Sequence, residues 1–143
     1  MAHSDAVQKL NGFIQDVRVG MLTTVDDQGT LRSRPMETPA KGFDGSLWFF
    51  TAIDSPKAKE IERRSKVNVS YANRDKQQYV SLSGTARVVR DAAKAAELWE
   101  PNAAAWFPKG PSDPNVGLIR VDIESAEYWD SATGKMVYLA GLV

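Results

Sequence analysis

The sequence predicts a mainly β fold: a small antiparallel barrel of six or seven strands with a few peripheral helices. Three observations carry that expectation. Segments of alternating apolar and polar residues recur along the chain, short turn signals join them as hairpins, and only a few stretches show helical spacing. Strands of this number joined by hairpins close into a barrel or pack as a sandwich, because closure removes exposed edges. The length of 143 residues suits one self-sufficient hydrophobic core, so a single domain over 1–143 is expected.

Val7, Leu10, Phe13, Ile14 and Val17 repeat at helical spacing, with Ser4 placed to cap that opening helix. Val19, Met21, Thr23 and Val25 alternate as a strand. Asp26-Asp27-Gln28-Gly29 turns the chain into a second extended segment at 30–34, which Pro35 and Pro39 are expected to bound or bulge. After Phe43-Asp44-Gly45 the run 46–51 is apolar and short, as in a buried strand. Ser55-Pro56-Lys57 opens a short helix, with serine as the cap and proline in the first position; Ala58, Ile61 and the stem of Glu62 supply its inward face. Val67, Val69 and Tyr71 form the next strand, and the turn at 73–76 leads into a long one over 79–89, with Gly84 as its bulge. Asp91 caps an alanine-rich helix that reaches Trp99. Four of the seven prolines fall between Pro101 and Pro114, marking an irregular loop that carries Trp106 and Phe107. Ile119, Val121 and Ile123 then alternate with charged residues, Tyr128-Trp129 follow, and 131–134 turns into a last strand over 135–139.

Composition narrows the chemistry. There is no cysteine, which excludes disulfides, thiol catalysis, iron–sulfur clusters and cysteine-ligated zinc. His3 is the only histidine, which argues against a histidine-based triad or a multi-histidine metal site. No apolar run approaches the roughly 20 residues a membrane span needs. Residues 1–10 lack the basic-then-apolar pattern of a secretory signal, so a soluble cytoplasmic chain is expected. The net charge is zero but unevenly spread: residues 30–90 carry twelve Lys or Arg against six Asp or Glu, and residues 91–143 carry four against eight. A basic middle in a neutral chain suggests a local anion site; the alternative is that folding mixes the segments into a patternless surface.

Within that middle, 51–59 is the most informative stretch. Lys57 and Lys59 sit in the first turns of a helix, where the macrodipole already presents partial positive charge. The free N–H groups there, the Thr51 and Ser55 hydroxyls and Lys57 would together suit a phosphate. The alternative is a solvated helix end whose lysines pair with Glu60 or Glu62. Arg32 and Arg34 share one face of the second strand and meet either an anionic ligand or carboxylates such as Glu37 or Asp44. Trp129, just before a turn, is placed to project over a flat ligand. Trp48, Phe49 and Phe50 suit a core, whereas Trp106 and Phe107 suit a pocket lid or a subunit contact.

Arg34-Pro35-Met36, then Leu47-Trp48-Phe49-Phe50-Thr51, then Ser55 and Lys57 four and six places after that threonine, resemble the FMN-binding split β-barrel of the pyridoxamine 5'-phosphate oxidase-like superfamily. The closing Ala126-Glu127-Tyr128-Trp129-Asp130, with Phe107-Pro108 and Asp113-Pro114 before it, is similar to the bacterial general stress protein branch. The order of elements agrees along nearly the whole chain. The resemblance implies a homodimer holding FMN in two symmetric clefts at its interface, with FAD or a deazaflavin as alternatives. Carried over by position, it implies that Lys57, Ser55 and Thr51 hold the phosphate, with Arg34 near the phosphate or ribityl chain. It also implies that the backbone of Ser33, Arg34, Pro35 and Met36 faces the isoalloxazine together with Phe50, and that Trp129 covers the ring from the other subunit.

Three departures from the oxidases stand out. Pro56-Lys57 follows the serine where they have Arg-Lys; Tyr79 stands where they place a flavin-contacting glutamine; and 138–143 lacks their basic, histidine-bearing end. These argue against vitamin B6 oxidation, and no side chain stands out as a dedicated acid or base. The expected function is a flavin-binding general stress protein, working as an oxidoreductase that passes electrons from NAD(P)H to an unidentified small acceptor. A non-catalytic flavin-binding or flavin-sensing module is the main alternative. An oligonucleotide-binding barrel is the other, disfavoured because 79–89 lacks the exposed aromatic spacing that stacks bases.

Overall fold

The structure, a computed structural model, describes residues 2–41, 43–131 and 134–140. Seven antiparallel strands make one curled sheet: β1 Val19–Val25, β2 Leu31–Glu37, β3 Ser46–Ala52, β4 Lys66–Asn73, β5 Gln78–Val89, β6 Val116–Asp130 and β7 Lys135–Ala140. Three helices accompany it, α1 Ala2–Val17, α2 Pro56–Arg63 and α3 Ala92–Leu98, with a 3-10 turn at Pro101–Ala105. The sheet runs β2-β1-β4-β5-β6-β3, with β7 also paired to β6. It forms a half-barrel whose terminal strands, β2 and β3, are not paired with each other. This is the split barrel the sequence predicts.

The long strand β6 organises the split. One of its edges pairs β5, while the other is shared between β3 in its first half and β7 in its second. At the changeover Ser83 faces Ser125 and Gly84 faces Ile123, so Glu124 is the extra residue of a bulge. The bulge expected at Gly84 is present, with its additional residue on the opposite strand. A Cβ on Gly84 would lie 2.1 Å from the Asp122 carbonyl oxygen, so the strands can approach this closely only at a glycine.

Leu22, Phe49, Val69, Leu82 and Ile119 fill the barrel, closed from outside by Leu10 and Ile14 of α1 and Ile61 of α2. β3 is covered on both faces. Leu47 and Phe49 enter this core, while Trp48 and Phe50 pack with Leu98 and Phe107 beneath α3 and the loop after it. That double burial explains why 46–51 reads as one apolar run.

Several expectations are corrected. α1 begins at Ala2, so Ser4 lies within the helix and not at its start. Pro35 sits within β2, opposite Met21, and the strand continues to Glu37. β2 is a sheet edge, where a residue without an N–H need not break a ladder bond. On α2 it is Glu60 that turns inward, at 8% exposure, whereas Glu62 is exposed. Ser55 caps α2 by accepting from the Ala58 N–H, with Pro56 in the first turn as expected. Ala132 and Thr133, part of the expected turn 131–134, lie outside the described residues. Among the described residues no helix is long and apolar enough to cross a membrane.

Gly84→Ala is expected to lower stability by more than about 2 kcal/mol, because the backbone itself stands in the way of the methyl. Gly12→Ala, whose methyl meets nothing within 4 Å inside α1, is expected to raise it by about 0.5–1 kcal/mol. Urea denaturation compares the pair; equal effects would contradict the bulge assignment.

Candidate functional site

The unpaired seam between β2 and β3 widens into a cavity of about 480 Å³, within the roughly 300–1,000 Å³ of small-molecule sites. β2 contributes Pro35, Met36 and Glu37, and β3 contributes Phe50, Thr51 and Ala52. Lys57 comes from the start of α2, and the loop after α3 adds Glu100, Asn102, Trp106 and Phe107. Phe50 is held edge-on by Trp99, ring centroids 5.5 Å apart, and touches Phe107 at 6.4 Å. The wall it makes is therefore flat and rigid.

Lys57 is half-buried, and among the described residues no carboxylate is bonded to it. Burial, and after it the neighbouring Arg34 guanidinium, hold its ammonium below the ordinary lysine range. A cation partly stripped of water and facing a like charge is an unfavourable arrangement that an incoming anion relieves. Beside it, Thr51 is buried with its Oγ1 3.1 Å from the Ser55 Oγ. Ser55 stands behind Thr51 and uses the same oxygen to accept from the Ala58 N–H at 3.3 Å.

Arg34 does not line the cavity. Its Nη1 donates to Thr24 Oγ1 at 2.6 Å and to the Leu22 carbonyl at 3.4 Å, and its Nη2 donates to Glu60 Oε1 at 3.1 Å. Buried Thr24 donates to that same Glu60 oxygen at 2.8 Å, and Arg32 reaches Glu60 Oε2 at 3.5 Å. The carboxylate that answers the two arginines is thus Glu60, not Glu37 or Asp44. Those two are engaged elsewhere: Glu37 accepts from Asn102 at 2.9 Å, and Asp44 pairs with Lys94 at 3.2 Å. The expected alternative, in which Lys57 or Lys59 pairs with Glu60 or Glu62, is not what forms.

The cavity therefore gathers Pro35, Met36, Phe50, Thr51 and Lys57, with Arg34 and Ser55 just behind it. Ser33 is on the outer face of β2, its Oγ 2.6 Å from Thr23 Oγ1. Trp129 is outside the cavity and lines a second hollow of about 320 Å³ on the outer sheet face, with Met21, Ser70 and Tyr79. Val19 borders both hollows. Sequence reasoning named Glu60 only as a partner for the helix lysines, not for the arginines of β2, and missed the loop residues Glu100 and Asn102. The loop is latched across the cavity by Arg18 to Glu100 at 2.7 Å and by Asn102 to Glu37. The prolines marked the loop, but no local pattern marks such long-range latches. Among the described residues no grouping of His, Asp or Glu could hold a metal ion.

Comparison with known proteins agrees with this architecture. The family described as "Pyridoxamine 5'-phosphate oxidase like" matches residues 5–143. Protein bli-3 of Neurospora crassa is 33% identical over 132 residues, which cover 85% of this chain and 63% of that protein. The chain thus spans less than two-thirds of that relative's length. Among solved structures, general stress protein 26 from Bacillus anthracis superposes with a TM-score of 0.78 at 25% identity, covering 94% of this chain and 98% of that one. The general stress FMN/FAD binding protein from Xanthomonas citri gives 0.75 at 29% identity, covering 96% and 95%.

The lowered Lys57 pKa has a sign that can be measured. The folded protein holds fewer protons there than the unfolded chain, so stability rises with pH between the lowered value and the ordinary 10.5; below that window the penalty is fully present. Lys57→Met is expected to raise the thermal midpoint of the ligand-free protein at neutral pH and to flatten the alkaline rise. Calorimetry at neutral and alkaline pH checks this, and a lower midpoint at neutral pH would remove the case for a desolvated cation.

Proposed function

We propose that this chain, which belongs to the pyridoxamine 5'-phosphate oxidase-like family, is a flavin-binding general stress protein that takes FMN into the seam cavity and acts as an oxidoreductase. The observation that carries this reading is Lys57, half-buried and, among the described residues, without a carboxylate partner, in the wall of a mostly apolar cavity of about 480 Å³. The donor set fits the cofactor: an ammonium and a buried threonine hydroxyl suit a phosphate dianion, and Phe50, Met36 and Pro35 suit a flat ring. The FMN/FAD binding by the Xanthomonas citri relative supports it.

A bound flavin supplies the hydride and electron transfer. Lys57 would hold the phosphate, with the Thr51 hydroxyl, braced by Ser55, as a further polar contact. Phe50, Met36 and Phe107 would line the apolar part of the site and exclude water from the ring. The electron donor on this reading is NAD(P)H and the acceptor a small molecule, since the protein offers position and electrostatics more than a dedicated acid or base.

We propose in addition that the protein is a homodimer. Val19, Met21 and Tyr79 are 48%, 40% and 36% exposed, and with Trp129 they border the outer hollow of the sheet. Such an uncovered apolar face fits a second copy. Val19 lies between this face and the cavity, so a copy seated there would bring the partner's Trp129 towards the ring.

Titrating purified protein with FMN is expected to quench the flavin fluorescence and perturb its visible spectrum; no change ends the flavin reading. Lys57→Glu is expected to weaken FMN about tenfold or more, the loss of one charge-assisted bond, with the circular dichroism unchanged. Unchanged affinity would overturn the phosphate assignment. Loaded protein is expected to oxidise NADPH with a quinone or ferricyanide as acceptor, and absence of turnover would leave a binding module. Met21→Glu is expected to convert a dimer to a monomer in sedimentation; a wild-type monomer at micromolar concentration would refute the dimer.

A further inference from the structure

We propose that Glu60 is the positioning residue of the anion site: through Thr24 and Arg34 it fixes a second positive charge beside Lys57. The inference rests on the phosphate reading of the cavity and assigns the residue that sets its charge geometry.

Lys57 and Glu60 lie three residues apart on α2, whereas Arg34 comes from β2. Arg34 is close enough for its charge to act on Lys57, and two cations do not hold such positions unaided. Glu60 Oε1 supplies the hold by accepting from Arg34 Nη2 and from Thr24 Oγ1. Thr24 Oγ1 in turn accepts from Arg34 Nη1, which closes a ring of three hydrogen bonds. A guanidinium bonded at two of its nitrogens to buried partners has one orientation. Without them, an arginine on an edge strand would extend into water and carry its charge away from the site.

Two accounts of Glu60 predict opposite signs. A mere negative charge near the site would repel the phosphate, so Glu60→Gln would tighten FMN binding. A positioning role requires the reverse: Glu60→Gln is expected to weaken FMN about five- to tenfold while riboflavin, which lacks the phosphate, changes less than about twofold. Thr24→Val, which leaves the net charge alone, is expected to act in the same direction. In an Arg34→Gln background Glu60→Gln is expected to cost nothing further, because the two act as a unit.

The experiment measures FMN and riboflavin affinities of the wild type, the three single variants Glu60→Gln, Thr24→Val and Arg34→Gln, and the Glu60→Gln/Arg34→Gln double variant, with melting temperatures alongside. Tighter or unchanged FMN binding in Glu60→Gln overturns the proposal. Equal losses of FMN and riboflavin also overturn it, as does full additivity with Arg34→Gln. Should Glu60→Gln fail to fold, Thr24→Val decides: a loss of FMN affinity with riboflavin spared supports positioning, and no loss refutes it. A wild type that does not prefer FMN over riboflavin defeats the phosphate reading itself, and this proposal with it. A wild type that does, with indifferent variants, defeats the proposal alone.

Discussion

A curled sheet that ends on β2 and β3 without pairing them has an open seam, and the rest of the molecule depends on how that seam is kept open and filled. Its position follows from β6, which lends one edge to both β3 and β7 and is broken between them by the Glu124 bulge. Pro35 helps to keep it open, since a strand lacking an N–H at that point is a poor template for further pairing. α2 stands beside the seam and is joined to β2 through Glu60 and Arg34, and to β1 through Glu60 and Thr24. What these contacts leave unfilled is the cavity.

The charge distribution can now be followed pair by pair. Five of the twelve cations in the basic middle are answered by acids from its flanks: Arg63 and Arg64 meet Asp27, Lys76 meets Asp16, Lys66 meets Glu124, and Arg87 meets Asp122. Most of these pairs are exposed and contribute little apiece, about 0–1 kcal/mol. Folding therefore does mix the segments, as the plainer of the two sequence readings held. Lys57 is outside these pairs and, unlike Lys59 or Arg90, is partly buried, so a neutral chain still presents a local positive site.

Legibility from sequence divides along the same line. Properties set within a few residues were readable: the alternation of β1 and β4, the doubly covered apolar run of β3, and the Ser55-Pro56 start of α2. The gathering of Thr51 and Lys57 followed, because a strand end and the next helix start are neighbours whatever the rest does. Properties set by the whole fold were not. Whether Pro35 bounds a strand or lies in an edge depends on what fails to pair with β2. Whether Glu60 or Glu62 faces inward depends on the rotation of an eight-residue helix whose apolar positions are few. The partner of Arg34 depends on both, which is why Glu37 and Asp44 looked equally good. Trp129 presents the same difficulty on a larger scale, since its placement over a ring on the proposed reading needs a second copy of the chain.

Three features oppose stability when the chain is taken by itself: an unanswered cation at Lys57, an open seam, and an apolar outer face holding Val19, Met21 and Tyr79. The main core is large enough to tolerate them, because Leu22, Phe49, Val69 and Leu82 are fully buried and far from marginal packing. Their placement is what carries the functional argument. Val19 lies in the wall of both hollows, so the seam and the outer face share a border instead of being scattered over the surface. A phosphate-bearing ring would relieve the first two features and a second copy the third, each stabilising the folded state by mass action. Because the two hollows share Val19, the cofactor site and the subunit contact of the proposed reading are neighbours on the surface, and a residue at their border belongs to both.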